Sequence, residues 1–201
     1  MNPKTDYPQT LYSLSSSEGY LAGRLLLASP NMTDERFRQS VVLLCQHNAN
    51  GAMGIVLNKP LPNMQVAELI KQFDLETDSV TGAEPIYFGG PVESIRGFVL
   101  HTDEYVSPET QSILPHVNLT ATIDVVRHIA GNTGPRKRLM ALGYASWEGG
   151  QLERELQENA WVVAEGSEAV LFDVPVEARW HFGYESVGLE PSRLSQASGS
   201  A

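Results

Sequence analysis

The chain has 201 residues, with 14 Lys+Arg against 24 Asp+Glu for a net charge of −10, and it is 42% hydrophobic and 19% charged. That length suits one domain with tails, and that composition fills a core and excludes global disorder. The acidic surplus repels phosphate backbones, which disfavours nucleic acid as a partner.

A single cysteine, Cys45, rules out an intramolecular disulfide or a cysteine-rich zinc site. The polar, Ser-rich opening is not a secretory signal. The longest apolar runs fall far short of the roughly 20 residues that span a bilayer. The expectation is a cytoplasmic protein with no membrane partner. Residues 1–18 read as a flexible leader, 19–189 as one domain and 190–201 (EPSRLSQASGSA) as a flexible tail.

Residues 21–28 (LAGRLLLA) have strand length and close at Ser29-Pro30, before a turn-rich segment that holds Asp34 and Phe37. Residues 40–47 (SVVLLCQH) suit a strand buried on both faces. Asn50-Gly51 and then GIVLN predict an antiparallel hairpin over 40–58. Pro62-Asn63 opens a predicted helix, on which Val66, Leu69, Ile70 and Phe73 form one apolar stripe. Residues 86–88 and 97–101 (GFVLH) are short strands joined through Gly89-Gly90-Pro91. A helix follows over 122–130, stopped by Gly131, and then a strand over 138–147.

Gly150 begins another helix, and 161–164 with 169–172 read as a last hairpin. Asp173 before Pro175 starts a final helix with Val176, Trp180, Tyr184 and Val187 on one side. Hairpins mixed with helices predict an α+β fold: a mixed, mostly antiparallel sheet with about four flanking helices.

Several strings resemble the bacterial AlgH/YqgE family in order across about residues 21–189. They include Ala28-x-Pro30, Asp34-x-x-Phe37-x-x-Ser40-Val41, Cys45-x-His47, Gly51-Ala52-x-Gly54 and Asn58-Lys59-Pro60. Further on come Gly89-Gly90-Pro91-Val92, Leu100-His101, Gly143-Tyr144-Ala145-x-Trp147, Gly150-Gln151-Leu152-Glu153-x-Glu155 and Arg179-Trp180. Ser146 departs from the pattern, where the family more often has glycine. The resemblance implies a sheet bent into a pseudo-barrel with helices outside. It also implies a regulatory role, since members are often described as transcriptional regulators; no activity or cofactor belongs to the family as a whole.

Cys45 and His47 stand two apart on a strand, so both should leave the same face, with Cβ atoms about 7 Å apart. Cys45 ends an apolar run and reads as a packed thiol. His47 and His101 each end a strand; if those strands are neighbours, the imidazoles converge with Asp34 or Asp103. No His spacing supports a metal, and Gly89-Gly90-Pro91 lacks a phosphate-loop continuation, so no metal or cofactor is expected and the glycines read as a tight turn. Arg136, Lys137 and Arg138 are the only basic cluster, explained as cations at a helix end. Glu155 lies at the edge of an apolar helix face and needs a partner, either Arg179 or the indole N–H of Trp147 or Trp161.

The leading expectation is therefore a regulatory or accessory protein that binds another protein. The surface to test holds Asp34, His47, Asn58, Lys59, Gly89, Gly90, Pro91 and His101. The alternative is a hydrolase or transferase using His47 or His101 with Asp34 or Cys45.

Overall fold

The computed structural model describes residues 20–73, 75 and 84–196. The expected leader, residues 1–18, lies outside the described residues. Its strands are β1 (Arg24–Ala28), β2 (Val41–Asn48), β3 (Gly51–Val56), β4 (Pro60–Gln65), β5 (Pro85–Phe88), β6 (Val92–Thr102), β7 (Gln111–Leu114), β8 (Val117–Thr120), β9 (Arg138–Glu148) and β10 (Trp161–Glu165). The helices are α1 (Val66–Gln72), α2 (Ile123–Ala130), α3 (Gln151–Gln157), α4 (Glu168–Phe172), α5 (Arg179–Ser186) and α6 (Pro191–Gln196), with a 3-10 turn at Val176–Ala178. The tail expected from residue 190 thus begins with α6.

The strand order is β10-β1-β2-β3-β9-β6-β8-β7, with β5 beside β9 and β4 beside β5. Only the β5–β9 pair is parallel among the described strands. The fold is α+β, as the element pattern predicts: a mostly antiparallel sheet curled into a half-barrel. β9 is its hub. Ile86–Phe88 pair with Met140–Leu142, and Gly51–Gly54 then pair with Ala145–Glu148 on the same edge, so β9 changes neighbours near Gly143.

Curling divides the apolar residues into three cores. Leu25, Leu27, Leu43, Ile55, Leu100 and Ala141 fill the concave side, closed by Val170, Leu171, Trp180 and Tyr184 from α4 and α5. On one outer face Leu26, Val42, Leu44, Trp147 and Trp161 pack with Leu152 of α3. On the other, α1 and α2 cover Ile86, Val99 and Met140. β1 and β2 are buried on both sides, which is why their sequences are continuously apolar. No helix of the described residues is long and apolar enough to cross a membrane.

Local departures from the sequence reading have physical causes. Residues 169–172 form α4 rather than a strand. The Ser167 side chain accepts from the Val170 N–H and caps that helix, while β10 pairs with β1 instead. Pro60–Gln65 is a strand, so α1 starts later than Pro62-Asn63; its first turn is marked by the Gln65 N–H donating to Glu68 Oε2 at 3.2 Å. The hairpin forms, but its loop is Ala49-Asn50, since Asn48 pairs with Gly51. β7 and β8 lie in a stretch the sequence reading left without elements.

Candidate functional site

A β-bulge separates Cys45 from His47. Leu44 pairs with Gly54 and Gln46 with Met53, leaving Cys45 as the extra residue. Cys45 enters the concave core with Leu43, whereas His47 stands opposite Ala52 on the outer face. The expectation that both leave one face is overturned by that single inserted residue. Burial pushes the Cys45 thiol up to about 12, so almost no thiolate exists at neutral pH. Native protein is expected to resist Ellman's reagent at pH 8 over hours and to react within minutes once unfolded; rapid reaction of folded protein would contradict this packing.

His47 is 3% exposed, and both ring nitrogens are occupied. The Leu21 backbone N–H donates to Nδ1 at 3.0 Å, so Nδ1 carries no proton and Nε2–H donates to Glu153 Oε1 at 2.9 Å. The backbone N–H of Glu153 itself, followed by His47, holds that carboxylate below its ordinary range. This is an imidazole–carboxylate pair whose remaining lone pair faces a backbone amide, which gives up no proton. It ties the chain entering β1 to α3.

His101 lies at the other end of the molecule. β2 pairs with β1 and β3, and β6 with β8 and β9, so the two histidine strands are not neighbours. His47 leads through Ala52 to Trp147 of β9, while His101 faces Arg138, a separation of roughly 30 Å at the strand rise. The convergence with Asp34 or Asp103 does not occur. His101 Nδ1–H donates to the Thr102 carbonyl at 2.9 Å, and Nε2 accepts from Thr120 Oγ1 at 2.9 Å.

Burial holds the His101 pKa below its ordinary 6.5, against smaller opposing effects of Thr102 and Glu104. The unfolded chain therefore takes up a proton near pH 6.5 that the folded chain refuses. This contribution to stability is complete above pH 6.5 and is lost as pH falls from there through the lower folded value. Urea unfolding at pH 7.5, 6.5 and 5.5 is expected to show the slope in the native protein and a flatter one in His101→Gln.

The structure does gather Asp34, Asn58 and Lys59. Asn58 clamps the loop before β2: its Oδ1 accepts from the Val41 N–H at 2.9 Å and its Nδ2 donates to the Gln39 carbonyl at 2.8 Å. That clamp holds Gln39 in the left-handed region at φ +52°. Hydrogen bonding from Arg36, at 2.6 Å to Asp34 Oδ2, brings the Asp34 pKa down. Arg38 pairs with Glu35, and burial lowers the Lys59 pKa. The Lys59 carbonyl accepts from the Phe88 N–H at 2.8 Å, which places Gly89-Gly90-Pro91 next along the same corner. Gly89 and Gly90 are buried against β9, however, so only Pro91 of that turn meets solvent. His47 and His101 lie elsewhere.

Glu155 takes both indoles. Its Oε2 accepts from Trp147 Nε1 at 2.9 Å and Trp161 Nε1 at 2.7 Å, and its Oε1 accepts from Gln151 at 2.8 Å. The basic cluster is paired with carboxylates: Lys137 with Glu168 and Asp173, Arg138 with Glu84, and the Arg136 backbone N–H with Glu104. Burial pushes Glu104 up, but hydrogen bonds from Thr102 and Arg136 outweigh it and bring the pKa to about 2. Among the described residues no group of three His, Cys, Asp or Glu side chains is placed to hold a metal ion.

Residues 25–192 match the family model described as AlgH-like. The chain belongs to the AlgH-like family. A UPF0301 protein of Methylobacterium sp. (strain 4-46) is 43% identical over 195 residues, covering 93% of each chain. A UPF0301 protein of Saccharophagus degradans is 40% identical over 181 residues, covering 90% of this chain and 89% of that one. The solution structure of the AlgH protein from Pseudomonas aeruginosa superposes with a TM-score of 0.75 at 39% identity, covering 94% of this chain and 98% of that one. A crystal structure from Corynebacterium diphtheriae shares the fold, with a TM-score of 0.61 at 20% identity over 80% of this chain and 83% of that one.

In this AlgH-like chain many of the motif residues do structural work. The Ala28 carbonyl accepts from Trp180 Nε1 at 2.9 Å and from the Tyr184 hydroxyl at 3.2 Å. Ser146, the departure, stands exposed opposite Met53, where a side chain meets no obstacle. The sequence reading missed Tyr87 and the true surroundings of Arg179, which lies far from Glu155 and lines a cleft of about 360 Å³ between β5, β9, α4 and α5. The available signal was Gly183, one helical turn after Arg179 and packed on Leu27, which marks that face of α5 as inward.

Proposed function

We propose that this AlgH-like chain is a cytoplasmic binding protein with a regulatory or accessory role, and that its partner is another protein docked on the corner built by Asp34, Arg36, Arg38 and Lys59. The observation that carries this reading is the ordering of that corner. Charged side chains are oriented by local ion pairs on a loop whose backbone is pinned by Asn58, which reduces the freedom left to lose on binding. The groups that an enzyme reading needs are engaged otherwise: Cys45 is buried, and both histidines have both ring nitrogens hydrogen-bonded. A role in transcription would be indirect, since the net charge of −10 opposes promoter contact and Arg136, Lys137 and Arg138 already face carboxylates.

The test is photo-crosslinking in cells from a reactive residue placed at Gln39, beside the same chain carrying Arg36→Glu and Arg38→Glu. A stoichiometric protein adduct that disappears on charge reversal, in protein of unchanged melting temperature, is expected. Turnover of an ester or phosphoester panel that is lost in His47→Ala or His101→Ala would overturn the reading in favour of a hydrolase.

A further inference from the structure

The cleft between β5, β9, α4 and α5 concentrates basic side chains in an acidic chain. Four basic and two acidic side chains line it, in a chain whose net charge is −10. At the rim, Lys137 and Arg138 are matched by Asp173, Glu168 and Glu84. Deeper in, Arg179 is only 5% exposed and forms no ion pair among the described residues. Its Nε donates to the Val174 carbonyl at 3.2 Å and one terminal nitrogen donates to the Leu57 carbonyl. Its guanidinium carbon stands 5.8 Å from the Tyr87 ring centroid.

Carbonyl dipoles and the Tyr87 phenol hold the group in place, and Glu177 attracts it only from beyond ion-pair distance, so among the described residues no carboxylate contacts this buried cation, an unfavourable state. Donors remain on the guanidinium beyond those two bonds, with the Tyr87 phenol beside them. Leu171, Phe172, Met140 and Pro85 supply apolar wall around the same space. Glu84 and Asp173 at the rim repel extended polyanions such as nucleotides or nucleic acid.

We propose that this cleft binds a small carboxylic acid with an apolar body, its carboxylate seated on Arg179 and Tyr87 and its body against Phe172 and Pro85. A planar carboxylate matches the guanidinium fork, which is the geometry in which arginine binds most strongly. The volume falls within the range of small-ligand sites. The cleft borders the charged corner, since the Leu57 carbonyl that holds Arg179 precedes Asn58-Lys59, but it shares none of the corner's charged side chains, so separate variants test the two readings.

The experiment is titration of the full chain with benzoate and 4-methylpentanoate, followed by amide chemical shifts, with benzamide and inorganic phosphate as parallel probes. Saturable shifts at Leu171, Phe172 and Arg179 are expected with at least one carboxylate, and at least tenfold weaker binding of benzamide. Arg179→Lys is expected to weaken the carboxylate at least tenfold, and Pro85→Glu, an exposed rim change, at least threefold. No saturation by either carboxylate, equal binding of benzamide, or phosphate binding as tightly as the carboxylates overturns the assignment. So does unchanged affinity in folded Arg179→Lys. If Arg179→Lys does not fold, unchanged affinity in Pro85→Glu is the overturning result.

Discussion

Gly90→Ala is expected to abolish the native sheet or lower its melting temperature by more than 8 °C. Gly90 has φ +154°, and a Cβ there would lie inside the Tyr144 carbonyl carbon and the Ala145 nitrogen. Both obstacles are backbone of the hub strand, so neither can swing aside. At Gly89 the Gly143 carbonyl presents the same obstacle. The close approach has a function in the fold: the Gly89 N–H donates to Leu142 at 2.8 Å while its carbonyl accepts from Val56 at 2.9 Å, so one residue joins β9 to the end of β3. Separating these strands costs several hydrogen bonds and the packing of the concave core, and losses above about 4 kcal/mol are a large part of a domain's roughly 5–15 kcal/mol. Each kcal/mol corresponds to about 2–4 °C at this size. Gly188→Ala is the control, since nothing lies near its Cβ position. Its φ of +70° costs only about 1 kcal/mol for a side chain. Thermal melts by circular dichroism compare the two, and a Gly90→Ala protein melting within 3 °C of the native one would refute the argument.

Glu155→Leu is expected to lower the melting temperature by about 5–15 °C, and Glu155→Gln by clearly less. The carboxylate is the acceptor for two indoles that are 6% and 4% exposed, Trp147 and Trp161. Leucine keeps the volume and leaves both N–H groups without a partner, at roughly 1–3 kcal/mol each. Glutamine keeps a carbonyl oxygen in place and loses only the added strength of an ionised acceptor. The two rings meet edge to face at 5.9 Å, and Trp161 meets Phe37 in the same manner at 5.6 Å, so the carboxylate orients an aromatic cluster between β9, β10 and α3. Near-UV circular dichroism is therefore expected to weaken in Glu155→Leu even below its melting point. An unchanged spectrum and melting temperature would show that water satisfies the indoles.

How far the sequence could be read depended on whether the governing interaction was local. Continuous apolar runs placed β1 and β2, and Asn-Gly between two such runs placed the hairpin, because burial on both faces and turn conformation are properties of short segments. Residues 169–172 carry the same apolar signal as a strand; only Ser167 capping and the prior claim of β1 on β10 made them a helix. Glu155 was legible as a carboxylate in need of a partner, and two of its three candidate partners are the ones it uses. The third, Arg179, was placed by α5 on the opposite side of the sheet. The period of two put Cys45 and His47 together, and one bulge sent them to opposite faces. A bulge depends on the register of the neighbouring strand, which no pattern within β2 records.

By itself the sequence determined the α+β class, the family, and the principal strands and helices of the two outer cores. Tertiary structure alone decided which polar groups meet. It put roughly 30 Å between His47 and His101, brought Asp34, Asn58 and Lys59 to one corner, and left Arg179 in a cleft with no ion pair among the described residues. The reason is physical: hydrophobic periodicity acts over a few residues and is written in every segment, whereas the meeting of side chains from distant segments is set by strand order and register, which only the assembled sheet possesses.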